Sequence, residues 1–209
     1  MKPCLRLPRS VFACVALLAL AGSTLRLEAE VRSYALGVGV NCPYGLPECY
    51  YAWREQMLRL EGVAWVSEEA DFATETLALR SREGRLLDPQ VVAKYISELG
   101  VGARLRGMEA TVVGTVEKRD DKFLLRVSGS GEVLPLGSCE TKVQYRFETK
   151  KPHPRTTQER RAFRALQKEM SSPQRAAVIT GPLVRDKKGV LTLQVRTYEL
   201  PEAKQARAQ

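Results

Sequence analysis

The chain has 209 residues, of which 44% are apolar and 27% are charged. These values are typical of a folded soluble protein and argue against a coiled coil, a disordered chain or a polytopic membrane protein. Lysine and arginine number 33 against 24 acidic residues, which gives a formal charge of +9, and the chain has one histidine. With one histidine and no nucleophile-elbow or phosphate-loop motif, we do not expect an enzyme.

The N-terminal segment has the features of an export signal. Its first ten residues carry three positive charges, and residues 11–21 form an apolar run that is too short to span a bilayer. Residues 19–22 (ALAG) provide the small side chains that a signal peptidase prefers. We therefore predict a signal peptide over residues 1–21 and an exported protein, periplasmic or extracellular, with no transmembrane segment in the mature chain.

The elements predicted for the first part of the mature chain alternate between strands and helices. Asp88 followed by Pro89 is a typical helix start, and Gly62 and Gly100 are placed as helix stops. The resulting β-α-β-β-α-β order predicts a ferredoxin-like domain over residues 31–108. The strands are expected at 34–40, 63–67, 72–80 and 103–106, and the helices at 49–60 and 89–99.

A second set of elements begins near Met108. Its order of strands, one helix and two further strands predicts an OB-like β-barrel over residues 109–200, followed by a disordered tail over 201–209. The predicted class is therefore α+β, a ferredoxin-like βαββαβ domain followed by a small OB-like β-barrel with one helix. The barrel strands are expected at 110–118, 123–127, 133–136, 142–147, 177–184 and 190–198, and the helix at 157–170.

Two cysteines and a glycine-valine pair carry a resemblance to a known family. Cys49 precedes Gly62 by thirteen residues, and Val63 and Val66 follow, while six residues, PYGLPE, separate Cys42 from Cys49. Residues 33–107 resemble the heavy-metal-associated domain of copper chaperones and periplasmic mercury-binding proteins in this spacing and in their second helix. The family has two residues, rather than six, between its motif cysteines.

The resemblance implies a metal site at Cys42 and Cys49. In the family two thiolates bind a soft ion, Cu(I) or Hg(II), and thiolates are suitable ligands for such ions. The function implied is binding or delivery of a soft metal ion in the cell envelope. The alternative is a non-metal interaction module in which Cys42 and Cys49 form a structural disulfide, which an oxidising compartment permits. Cys139 would then be the unpaired cysteine.

The basic residues concentrate in the second unit. A basic barrel suggests oligonucleotide binding, but export and the scarcity of aromatic stacking residues argue against a nucleic acid. We expect instead an anionic surface of the envelope, an acidic partner protein, or simply a solvated charged face. The basic positions are Lys118-Arg119, Lys150-Lys151, Arg155, Arg160-Arg161, Arg164, Lys187-Lys188 and Arg196.

Overall fold

Strands make up most of the regular structure in the computed structural model, which describes residues 31–41, 46–98, 102–170 and 174–201. The helices are α1 (Leu46–Met57), α2 (Pro89–Glu98) and α3 (Thr157–Glu169). The strands are β1 (Val31–Gly39), β2 (Val63–Val66), β3 (Thr76–Ser81), β4 (Arg104–Arg119), β5 (Lys122–Val127), β6 (Val133–Ser138), β7 (Gln174–Arg185), β8 (Leu191–Val195) and β9 (Thr197–Glu199). The predicted signal peptide, Cys42, Gly100 and the tail beyond residue 201 lie outside the described residues.

All nine strands belong to one sheet, in the order β2-β3-β1-β4-β5-β6-β8-β7-β9. An additional pairing between β4 and β7 closes β4, β5, β6, β8 and β7 into a five-stranded barrel. Strands β6 and β8 are parallel, and the other pairs are antiparallel. The sheet therefore consists of a barrel with three further strands, β1, β3 and β2, attached to one edge of β4.

One apolar core stabilises both parts of this sheet. On β1, the alternate residues Tyr34, Leu36 and Val38 are buried, as the period of two in a half-buried strand requires. The hydroxyl of Tyr34 donates to the carbonyl of Arg85 and accepts from the backbone N–H of Leu87, which fixes the segment before α2. The other fully buried large side chains of the core are Trp53, Met57, Leu77, Leu79, Ile96, Met108, Leu125, Leu166, Ile179 and Leu193.

The predicted α+β class with a ferredoxin-like βαββαβ domain is wrong. The protein is mostly β, no ferredoxin-like βαββαβ arrangement is evident, and β4 belongs both to the barrel and to the sheet that contains the strands before it. Residues 108–112 of β4 pair with β1 on one edge and with β7 on the other, so hydrogen bonding continues through the strand without a break. A five-stranded barrel is present, with one helix between its third and fourth strands.

The boundary predicted at Met108 lies inside a strand. The strands expected at 103–106 and 110–118 are the single strand β4, and the expected strand at 142–147 is part of a loop. Alternation along β4 is interrupted because Arg106 has no partner where Gly37 pairs with Gly107 and Val38 with Leu105. The two predicted strands are therefore one strand that contains a β-bulge.

One local helix signal is confirmed, because the carboxylate of Asp88 accepts the backbone N–H of Gln90 at 2.8 Å. Gly62 has a φ of 87°, but α1 ends earlier, at Met57, so Gly62 does not stop that helix. Cys49 lies within α1, which begins at Leu46 and not at the predicted Cys49. The N-cap of α3 is Thr156, one residue before the start expected at Thr157, and Glu159 completes a capping box. No helix in the described ranges combines the length and apolar character needed to cross a bilayer.

Candidate anion-binding site

The predicted cysteine site is only partly within the described residues. Cys49 is 4% exposed on α1 and its sulfur is in a disulfide bond, whereas Cys139 is a free thiol. The Cys42–Cys49 pairing stays a prediction, since Cys42 is not described. Cys139 is buried and donates to the carbonyl of Thr141, and burial raises the pKa of its thiol. Across the described ranges, no group of three or more His, Cys, Asp or Glu side chains could hold a metal ion.

Three glycines on neighbouring strands form a flat surface, here called the glycine platform: Gly37 and Gly39 on β1 and Gly107 on β4. Gly37 pairs directly with Gly107. A Cβ on Gly37 would lie 2.1 Å from the carbonyl oxygen of Val143, and one on Gly107 would lie 2.9 Å from its Cγ1. The platform therefore lets the loop between β6 and α3, residues 139–156, lie directly on the sheet.

Backbone hydrogen bonds hold this loop against the turn that precedes β3. The N–H of Tyr145 donates to the carbonyl of Thr74 at 2.9 Å, and Tyr145 also forms a β-bridge with Pro152. The bridge narrows residues 146–151 into a tight turn in which Lys150 has a φ of 53°. This conformation places the ammonium of Lys150 beside Glu75, so a residue of the barrel loop reaches the first part of the chain.

Glu75 lies at the centre of a buried ionic cluster. It is 2% exposed, has a φ of 50°, and its carboxylate accepts hydrogen bonds from Arg106 and Lys150. The bulge in β4 directs Arg106 onto the platform, where a Cβ on Gly39 would lie 2.7 Å from its Nε. Glycine at position 39 therefore makes room for the guanidinium.

Two aromatic rings of the same loop cover these two cations. The guanidinium of Arg106 lies 4.5 Å from the ring centroid of Tyr145, and the ammonium of Lys150 lies 4.0 Å from that of Phe147. Both distances are within the range of a cation–π interaction. Each cation is thus held between the carboxylate of Glu75 and an aromatic ring, which restricts its position.

These cations line a cleft of about 420 Å³. Arg104 is exposed at its edge, and its side chain has no hydrogen bond or ion pair with any described residue. Of the three cations, only Arg106 and Lys150 are therefore bonded to Glu75. The cleft consequently has an excess of positive charge, and guanidinium and ammonium groups are the usual partners of carboxylates and phosphates. Its lining residues are Gly39, Val40, Asn41, Gly102, Arg104, Arg106 and Lys150.

A buried hydroxyl lies in the same electrostatic environment. The hydroxyl of Tyr50 has no hydrogen-bond partner among the described residues, although Tyr50 is only 4% exposed. Burial, and then the negative charge of Glu75, raise the pKa of Tyr50 above its ordinary value. The hydroxyl therefore stays protonated at neutral pH, and it is an unused donor near the ionic cluster.

Alanine at position 37 should destabilise the protein by about 2 kcal/mol, because its Cβ forces the loop away from the platform. Gly137→Ala is the matched control, since the nearest atom to its Cβ, on Thr192, is at an ordinary contact distance of 3.5 Å. Denaturant unfolding of both variants measures the difference. Equal stability of the two would show that the loop does not rest on the platform.

Sequence reasoning missed most of this site. Glu75, Arg104 and Arg106 were not singled out, and Lys150 was noted only as part of a basic segment. The available signal was the placement of glycine at alternate positions of β1, 37 and 39, with another glycine directly after Arg106. Glycine inside a strand often marks the close approach of another backbone.

Comparison with known proteins does not assign a function to this site. No protein-family model, no curated protein and no solved structure matches the chain. The resemblance to heavy-metal-associated domains therefore stays a prediction, and the site has to be interpreted from its own residues.

Proposed function

We propose that this protein is a non-enzymatic binding module that holds an anionic group in the cleft between β1, β4 and the 139–156 loop. The observation that carries the proposal is the charge imbalance there: three cations line the cleft, and among its described lining residues there is no carboxylate, while Glu75 is bonded to Arg106 and Lys150. The side chain of Arg104 has no partner among the described residues, so its N–H donors are available for a ligand. A charge-assisted hydrogen bond contributes about 1.5–3 kcal/mol, so these donors can provide useful affinity.

The soft-metal function predicted from Cys42 and Cys49 is less well supported. A sulfur in a disulfide is not a thiolate, so Cys49 could bind Cu(I) only after reduction. The predicted test remains Cu(I) binding by reduced protein against a Cys42→Ser/Cys49→Ser control. The structural disulfide of the alternative prediction agrees better with a binding module, although its partner cysteine is not described.

The anionic partner would be met in the cell envelope if the N-terminal segment directs export. The proposal is thus a specific form of the contact with an anionic surface or an acidic protein that the basic composition suggests. It differs in placing the contact at Arg104, Arg106 and Lys150, rather than spreading it over the basic barrel.

Titration with inorganic phosphate and with acetate, followed by calorimetry and by amide chemical shifts, tests the proposal. We expect saturable binding that weakens with added salt, with the largest shifts near the platform. Arg104→Ala should raise the dissociation constant about tenfold, because one charge-assisted hydrogen bond is lost. Arg164→Ala is the control, since Arg164 is an exposed arginine on α3. Equal affinity of the two variants, or no saturable binding, would contradict the proposal.

A further inference from the structure

The cleft is much larger than a bare oxyanion. Its volume of about 420 Å³ compares with about 30 Å³ for one water molecule, and it falls within the range of about 300–1,000 Å³ that is usual for small-molecule sites. A phosphate or carboxylate group bound to the three cations would fill only part of this space. The remainder is available to whatever the anionic group is attached to.

Phe147 is not among the residues that line the cleft, but its ring lies against Lys150, which is one of them. The ring is 41% exposed, although its centroid is only 4.0 Å from the ammonium of Lys150. An anion in contact with Lys150 therefore has its substituent within reach of an exposed aromatic ring. Tyr145 does not offer the same surface, because its ring covers Arg106 and is half-buried.

A second exposed ring lies on the segment that adjoins the loop. Phe72 is 41% exposed, and its ring makes an edge-on contact with Tyr50 at a centroid distance of 5.3 Å. It belongs to the turn whose Thr74 carbonyl accepts the N–H of Tyr145. Phe72 is not a lining residue of the cleft, so Phe147, which contacts the lining residue Lys150, is the exposed ring better placed to meet a ligand.

We infer that the ligand of this cleft is an anionic group, a phosphate ester or a carboxylate, attached to an aromatic or similarly flat apolar body that packs on Phe147. This inference rests on the proposed function and adds the class of ligand to it. The cations bind the anionic head, and the ring of Phe147 binds the body. Contact with that body would account for the exposed ring of Phe147, which the ion pair between Lys150 and Glu75 does not require.

Paired probes with and without a phenyl group test the inference on the full chain. Phenyl phosphate should bind about fivefold more tightly than inorganic phosphate, since an aromatic pair adds to the affinity of the shared head group. Phenylacetate and acetate form the second pair, and comparison of the two pairs distinguishes phosphate esters from carboxylic acids. Calorimetry at constant ionic strength gives the four dissociation constants.

Variants of exposed aromatics identify the contact. Phe147→Ala should remove the advantage of the phenyl probes, so that its affinities for phosphate and for phenyl phosphate become equal, and Phe147→Leu should keep part of the advantage. Tyr51→Ala, which removes a 68% exposed ring on α1, should change neither value. Equal affinity for phosphate and phenyl phosphate, or an advantage that survives in Phe147→Ala, overturns the inference while the anion site stands. Failure of the wild type to bind either phosphate or acetate overturns the proposed function itself.

Discussion

Replacing Glu75 by glutamine should lower the free energy of unfolding by about 3 kcal/mol. Its carboxylate is 2% exposed and is paired with Arg106, whose side chain is 10% exposed. Without the negative charge, the guanidinium stays buried with no counter-charge. Leaving one partner of a buried ion pair unpaired is strongly destabilising. Lys150 adds little to this loss, because its side chain is 50% exposed and can turn to water. Glutamine has the same shape, so the comparison isolates the charge.

Denaturant unfolding measures the loss, and Glu98→Gln on α2 is the control. Glu98 is paired with Lys94 at 3.9 Å, and both side chains are largely exposed, so its replacement should cost less than about 0.5 kcal/mol. Glu75→Gln should bind phosphate more tightly although it is less stable, because Arg106 and Lys150 lose their competing carboxylate. A variant as stable as Glu98→Gln would show that Glu75 does not hold the cluster together.

Signals that act within a few residues were readable in the sequence. The cap at Asp88 was predicted because it is dictated by neighbouring backbone groups. Glu75 and Lys150, by contrast, are 75 residues apart, and no local pattern connects them. A lone glutamate or lysine is usually solvated, so sequence alone gives no reason to pair these two.

The merging of two predicted strands into β4 has the same origin. Whether residues 103–118 form one strand or two depends on the partners at both edges, β1 and β7, and not on the residues of β4 alone. The domain boundary near Met108 was predicted from a change in composition and from the complete β-α-β-β-α-β order before it. The structure has a β-bulge at Arg106, within a strand that continues to Arg119.

Arg196, in the barrel part of the sheet, is paired with buried acids in the same way as Arg106. It lies between β8 and β9, where the register with β7 shifts by one residue, and its guanidinium is directed onto buried glutamates. In both places a strand irregularity turns an arginine inward to an acid far away in the chain. The two ionic clusters are therefore consequences of pairing geometry, and the sequence pattern of a regular strand conceals them.

Replacing Arg196 by methionine should cost about 4 kcal/mol, the largest effect expected from a single charge in this protein. Its Nε and Nη2 donate to the two carboxylate oxygens of Glu109 at 2.7 and 2.5 Å, and its Nη1 donates to Glu159 at 3.2 Å. The side chain of Glu109 is only 5% exposed. Methionine preserves the packing volume but leaves Glu109 charged and unpaired, whereas Glu159 keeps Lys142 at 2.9 Å.

The loss should depend on pH in a defined direction. Burial alone would raise the pKa of Glu159, but hydrogen bonds from Lys142, the Thr156 N–H and Arg196 lower it from 4.5 to about 2. A carboxyl with a lowered pKa stabilises the fold above pH 4.5, and that contribution disappears as the pH falls towards 2. Without Arg196 the pKa of Glu159 lies closer to 4.5, so the variant has less stability to lose in acid.

Denaturant midpoints of wild type and Arg196→Met between pH 7 and pH 2 test both parts of this prediction. The gap in stability should be widest near pH 7 and should narrow below about pH 4.5, as the wild type loses the contribution of Glu159. Arg161→Met, on the exposed face of α3, controls for the general effect of removing one positive charge and should change stability little. A gap that stays constant over the whole pH range would mean that Arg196 does not act through the carboxylates. Its side chain would then stabilise the barrel by packing alone.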